Sequence, residues 1–134
     1  MKAILTLGAV ILLVTLGVLA WKFGRSETHF GKPFAGFPAA TIPELLARPE
    51  AHLRRDLRIH GQLRRQCPAT GCWFFLIDPR DPKAQELKVE MGDTNTRLPK
   101  HTGHFATVEG QLIKFGEHYQ FIGVAVTFSE KATP

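Results

Sequence analysis

Cysteine is scarce in this chain, with only Cys67 and Cys72 among 134 residues. Neither lies near the N-terminus, so no lipid-acceptor cysteine stands there. No Ser-His-Asp or Cys-His pattern has a nucleophile elbow or a Gly-rich loop beside it. No phosphate loop is present either. These absences exclude the common signatures of acyl transfer and nucleotide hydrolysis, and the expectation is a protein that is not an enzyme. Histidine is present six times, yet none shows metal-motif spacing except, weakly, His101 and His104.

Charge of one sign is also less abundant than the total suggests. The formal net charge is +5. The first 40 residues hold four Lys/Arg and one acidic residue, so most of the excess belongs to the N-terminus. The remainder is nearly balanced, which weakens any nucleic-acid reading taken from the high pI. Arg54, Arg55, Arg58, Arg64 and Arg65 do cluster beside Trp73, Phe74 and Phe75. Cations with aromatic platforms can bind single strands. A solvated basic face, or one meeting acidic partner or lipid groups, is the expectation here, with no nucleic acid bound.

One long hydrophobic run exists. Ala3 to Trp21 is uncharged and rich in Leu, Ile, Val and Ala. As a helix of about 19 residues it spans roughly 28 Å, close to the bilayer's hydrocarbon thickness. Trp21, Lys22, Phe23 and Arg25 then suit an interfacial anchor. The competing reading is a signal peptide cleaved after Ala20, but the apolar run is longer than such a core usually is. Residues 1–22 are therefore expected to be a single transmembrane anchor that stays uncleaved. A short N-tail before a folded domain places that domain outside the cytoplasm, on the periplasmic side of an inner membrane.

Residues 23–40 hold Gly24, Gly31, Gly36, Pro33 and Pro38 without periodicity and read as a flexible tether. As a coil of about 17 residues its mean reach is roughly 23 Å. Phe30, Phe34 and Phe37 are unusual in a linker. They are expected to pack on the domain or rest on the lipid interface, the sharper alternative being that they dock on a partner membrane protein.

Residues 41–134 read as one small domain. Thr41-Ile42-Pro43-Glu44 forms a capping box, and a short helix from Pro43 to about Ala47 follows. Leu45, Leu46 and Leu53 are expected to face the domain. From Leu57 the apolar period becomes two, and Leu57, Ile59, Gly61 and Leu63 mark a half-buried strand. Gly61 suggests a bend. The cysteine loop turns the chain into a second strand, Trp73–Ile77. A third strand spans Leu87–Met91, a fourth Phe105–Ile113 and a fifth Tyr119–Phe128. Ile59-His60-Gly61-Gln62-Leu63 is echoed by Val108-Glu109-Gly110-Gln111-Leu112. Five short strands in a meander, with the first and fourth related, predict a small closed barrel.

The short helix, the two Gly-centred strands and the loop Cys67-Pro68-Ala69-Thr70-Gly71-Cys72-Trp73 together resemble small bacterial extracytoplasmic OB-fold-like domains. That family carries a Cys-x-x-x-Gly-Cys-Trp loop. The resemblance covers roughly residues 41–128. It implies an all-β fold, a five-stranded OB-like barrel with one short N-terminal helix, behind a single transmembrane helix. It supplies no reaction. The helix that many OB-folds place between strands three and four is not expected, because Gly92–Gly103 has no apolar stripe.

Two functional expectations follow. The first is a membrane-anchored periplasmic accessory or scaffolding subunit that binds an integral membrane protein complex. Phe30, Phe34, Phe37, Arg64, Arg65 and Trp73 are its candidate partner-binding residues. In an oxidising compartment Cys67 and Cys72, on either side of a short turn, are expected to form a disulfide. The alternative is a periplasmic protein that binds Cu, Zn or a small ligand at the Cys67–Cys72 loop; for a metal, Cys67, Cys72 and a nearby histidine would serve, since thiolate and imidazole suit those ions. No cofactor belongs to the first reading.

Overall fold

The computed structural model describes residues 2–23, 28–68, 73–81, 83–93 and 97–130. Helix α1 (Lys2–Phe23) is apolar on every side, and Lys2–Ala20 is long and apolar enough to cross a membrane. Ile4, Leu5, Leu12 and Leu13 are all exposed. A helix without a polar face needs an apolar surrounding, and none of the described residues supplies it.

The domain begins earlier than the sequence suggests. Residues Thr28–Gly31 form strand β1, inside the stretch read as a tether. Helix α2 (Ile42–Ala47) follows, with Thr41 and Glu44 in the expected capping box. Pro49 opens a single 3₁₀ turn, Pro49–Ala51. The barrel strands are β2 (Asp56–Gln66), β3 (Trp73–Ile77), β4 (Leu87–Met91), β5 (Phe105–Phe115) and β6 (His118–Ser129). No helix lies between β4 and β5 among the described residues.

The five strands close into a barrel with OB-type connectivity. β2 pairs antiparallel with both β3 and β5, β3 with β4, and β5 with β6. β4 closes the ring by pairing in parallel with β6, through Val89↔Phe121 and Met91↔Gly123. The order is therefore not the meander expected from the sequence. A parallel pair needs a crossover of about a dozen residues or more, and here it runs through residues 92–104 and then β5 before β6 begins. β1 is the sixth strand, antiparallel to β6 from Thr28↔Phe128 to Gly31↔Ala125.

Inward alternation builds the core. Leu57, Ile59 and Leu63 meet Phe74, Leu76, Leu87, Val89, Val108, Leu112, Phe121 and Phe128. Ile42 and Leu45 of α2 join them, and Leu98 packs in from the crossover. The two echoed glycines are both sites of close approach. A Cβ at Gly61 would stand 2.8 Å from Ile42 Cδ1 and 2.8 Å from the Ile77 carbonyl oxygen. A Cβ at Gly110 would overlap the Ile122 carbonyl, where β5 shifts register against β6. The echoed strands β2 and β5 are direct neighbours, with Ile59 opposite Val108.

Candidate functional site

On β3 the alternation buries Phe74 and turns Trp73 and Phe75 outward, both half-buried. Their rings meet edge to face with centroids 5.6 Å apart. Cations gather on them. The Arg65 guanidinium lies 4.4 Å from the Phe75 ring centre, and Lys88 Nζ lies 5.8 Å from that of Trp73. Glu86 holds the arginines in place, at 2.7 Å from Arg65 and 3.8 Å from Arg64. The sequence candidates Arg64, Arg65 and Trp73 thus converge on one outer face of β3 and β4. The face presents flat rings bordered by Arg64, Arg65 and Lys88, with Glu86 and Glu90 among them.

The three phenylalanines before α2 are placed elsewhere. Phe30 sits against Phe128 and His101, with centroid distances of 5.9 and 6.4 Å. Phe34 stands edge-on to His29 at 5.1 Å, with the Arg58 guanidinium 4.9 Å from its ring. Phe37 is half-buried and donates its backbone N–H to Glu109 Oε2 at 3.0 Å. All three lie against the domain, and part of each ring stays accessible.

Glu109 organises this region, and the sequence reading missed it. It points outward from β5, yet only 1% of it is exposed, because residues 35–37 lie over it as a strap. Its carboxylate accepts N–H bonds from Ala35 at 2.6 Å, Gly36 at 3.1 Å and Phe37 at 3.0 Å. Arg58, its cross-strand neighbour on β2, donates from Nε at 3.1 Å and Nη2 at 2.7 Å. Burial alone would raise the carboxyl's pKa. The Ala35 N–H, the Arg58 guanidinium and the Phe37 N–H together hold it below the usual range. The strap then continues along β2, where Arg58 N–H donates to the Pro38 carbonyl and Ala40 N–H to the Arg58 carbonyl, both at 2.8 Å. An open, largely apolar groove beside the strap is lined by Pro33, Phe37, Ile113, Ile122 and Val124, with Lys32 and Asp56. A lone Glu between Val108 and Gly110 was the available signal, together with Arg58 opposite it once β2 and β5 are paired.

The remaining candidates lie at one end of the barrel. Cys67 follows β2 and donates its backbone N–H to the Trp73 carbonyl at 3.0 Å. Cys72 and its expected bond to Cys67 lie outside the described residues. His101 stacks on Phe128 with centroids 4.2 Å apart, and its Nδ1 is 3.4 Å from His104 Nδ1. Burial, and then the neighbouring His104, push the His101 pKa down and favour the neutral ring. Among the described residues no three His, Cys, Asp or Glu side chains gather as a metal site.

Comparison with known proteins brings no relative: no protein-family model matches the chain, and no curated protein matches it significantly.

Proposed function

We propose that this chain is a non-catalytic accessory subunit, held by one transmembrane helix, whose OB-like barrel sits on the periplasmic side and binds an integral membrane protein complex. The short coupling between span and barrel carries the reading. β1 and the Glu109 strap draw residues 28–40 onto the barrel, which leaves residues 24–27 between Phe23 and Thr28. Five backbone steps reach at most about 18 Å. A domain kept that close to the bilayer has a restricted set of partners, chiefly those in the membrane or at its surface. The Trp73–Phe75 face with Arg64, Arg65 and Lys88 is the surface offered to the partner. Cys67 and Cys72 form a structural disulfide at the adjoining loop. No nucleic acid is bound.

The test is purification of the full chain from gently solubilised membranes. The expected outcome is stoichiometric co-purification of an integral membrane protein, and recovery of the chain alone refutes the reading. Replacing Trp73 and Arg65 with Ala should reduce capture without dissolving the barrel. Inserting about ten Gly-Ser residues between Phe23 and Thr28 raises the mean reach from roughly 11 Å to roughly 21 Å. It should weaken capture by lowering effective concentration.

A further inference from the structure

Strand polarity says which end of the barrel faces the bilayer. β1 is antiparallel to β6, and Thr28 is level with Phe128, at the C-terminal end of that strand. Ser129 is level with Phe105, and Phe105 with Gln62. The chain therefore joins the barrel at this end. His101, in the segment between β4 and β5, packs on Phe30 of β1 and on Phe128 of β6, so that crossover segment lies beside the point of entry.

The crossover is fastened to the C-terminal part of β2. Leu63 N–H donates to the His104 carbonyl at 2.8 Å, and Gly103 N–H to the Leu63 carbonyl at 3.0 Å. The Gln66 amide donates to the Pro99 carbonyl at 2.9 Å and accepts the His101 N–H at 2.8 Å. Leu98 anchors the segment in the core. The hairpin turn at Gly116 and Glu117 lies at the far end of β5 and β6, some ten residues or 33 Å of strand away.

The crossover beside the entry point therefore lies at the end that a linker of at most about 18 Å keeps near the bilayer. Arg97 and Lys100 stand exposed on that crossover, and residues 97–104 contain no acidic group. Asp93 and Glu130 are the acidic residues on the flanking stretches. Lys22 and Arg25 follow the apolar run on the same side of the span. Cations held within a Debye length of a leaflet are attracted to anionic headgroups.

We propose that the barrel rests end-on on the membrane, with Arg97 and Lys100 of the crossover seated on anionic lipid headgroups. This rests on α1 spanning the bilayer and is separate from the choice of protein partner. The contact fixes the tilt of the domain and leaves the Trp73–Phe75 face pointing sideways along the membrane surface.

The test uses the full chain in vesicles of phosphatidylcholine, with or without phosphatidylglycerol. A photoreactive diazirine side chain replaces Thr102 in one variant and Glu117 in another. Mass spectrometry should find lipid adducts from position 102 far in excess of those from 117. Arg97→Glu and Lys100→Glu should each lower the yield at 102 about fivefold in the anionic vesicles, and high salt should do the same. An unchanged melting temperature shows that the variants remain folded. Equal adducts at both positions, adducts at 102 indifferent to lipid charge, or a probe at 102 that reacts with water alone would overturn the proposal. Loss of the chain from the vesicles on carbonate washing would overturn the spanning reading along with it. In native membranes, protein adducts replacing lipid ones at 102 would assign this end to a partner instead.

Discussion

Replacing Glu109 should release the strap while leaving the barrel closed. The carboxylate accepts five hydrogen bonds, three from backbone N–H groups of residues 35–37 and two from Arg58. In Glu109→Ala those donors lose their acceptor. Removing one member of a buried ion pair costs about 3–5 kcal/mol. Here the loss is smaller, because the Arg58 side chain is 35% exposed and can regain water. Ala35 and Gly36 are exposed as well and can also be hydrated. About 2–3 kcal/mol remains. Glu109→Gln keeps the shape but turns an amide NH₂ toward donors, and it should cost nearly as much. For a domain of this size that corresponds to a melting temperature lower by roughly 10 °C. The loss should be local, so amide exchange at residues 35–40 should accelerate well before that of β2 or β5. The pH dependence has a fixed sign. The folded carboxyl's pKa is depressed below its ordinary value of 4.5. Its contribution is therefore complete above that value and is lost as pH falls through the lower folded one. Wild-type strap protection should fade over that acid window, and the variants should show no such step. Glu109→Ala and Glu109→Gln that melt like wild type and keep the strap protected would refute the reasoning.

Three further outcomes are expected. Burial and His104 depress the His101 pKa below its ordinary 6.5, so its contribution is complete above 6.5 and is lost as pH falls through the folded value. His101→Phe keeps the stack on Phe128 and should flatten the melting temperature's dependence on pH in that window, apart from a share from His60, whose pKa burial also lowers. Gly110→Ala forces a methyl onto the Ile122 carbonyl and should destabilise by at least about 1–3 kcal/mol in denaturant melts, with Gly61→Ala at the lower end of that range. Unreduced protein should show almost no free thiol at Cys67 and Cys72, and replacing both with Ser should lower the melting temperature by several degrees; two labelled thiols that Cu(I) or Zn(II) protects would favour the metal alternative instead.

The barrel strands were legible because each writes its burial into an alternation of its own residues. Trp73–Ile77 and Leu87–Met91 have the bounds the pattern predicts. The Thr41–Glu44 capping box is likewise a local signal, and it is present. β1 was not legible, since Thr-His-Phe-Gly has no periodicity and its pairing partner lies about a hundred residues on, at Ala125–Phe128. Glycine and proline around it suggested freedom. In the fold Pro38 instead supplies a carbonyl to Arg58, and Gly36 an N–H to Glu109. Backbone donors leave no trace in composition, so Glu109 looked like an ordinary outward residue of a half-buried strand. The crossed order of β4, β5 and β6 is invisible for a related reason: each strand's pattern records which face is buried, not which neighbour it pairs with.

These two failures of legibility have one consequence for function. A flexible 17-residue tether would let the barrel explore a hemisphere some 23 Å in radius, and its partner-facing side would be set by affinity alone. The strap replaces that freedom with a fixed path along β6, β5 and β2. Orientation is then decided by which barrel end receives the chain. It is the end that carries the cysteine loop, the His101–His104 pair and the crossover cations. β1 thus holds the chain at that end, and the Glu109 clamp fixes the path that follows it. Inserting Gly-Ser residues between Phe23 and Thr28 lengthens the free linker directly, whereas Glu109→Ala leaves β1 paired to β6 and the linker short. Lipid adducts at position 102 should fall in the insertion variant even though Arg97 and Lys100 are untouched. Were they to persist at the wild-type yield, the headgroup contact would be set by the charges alone and the short linker would have no part in it.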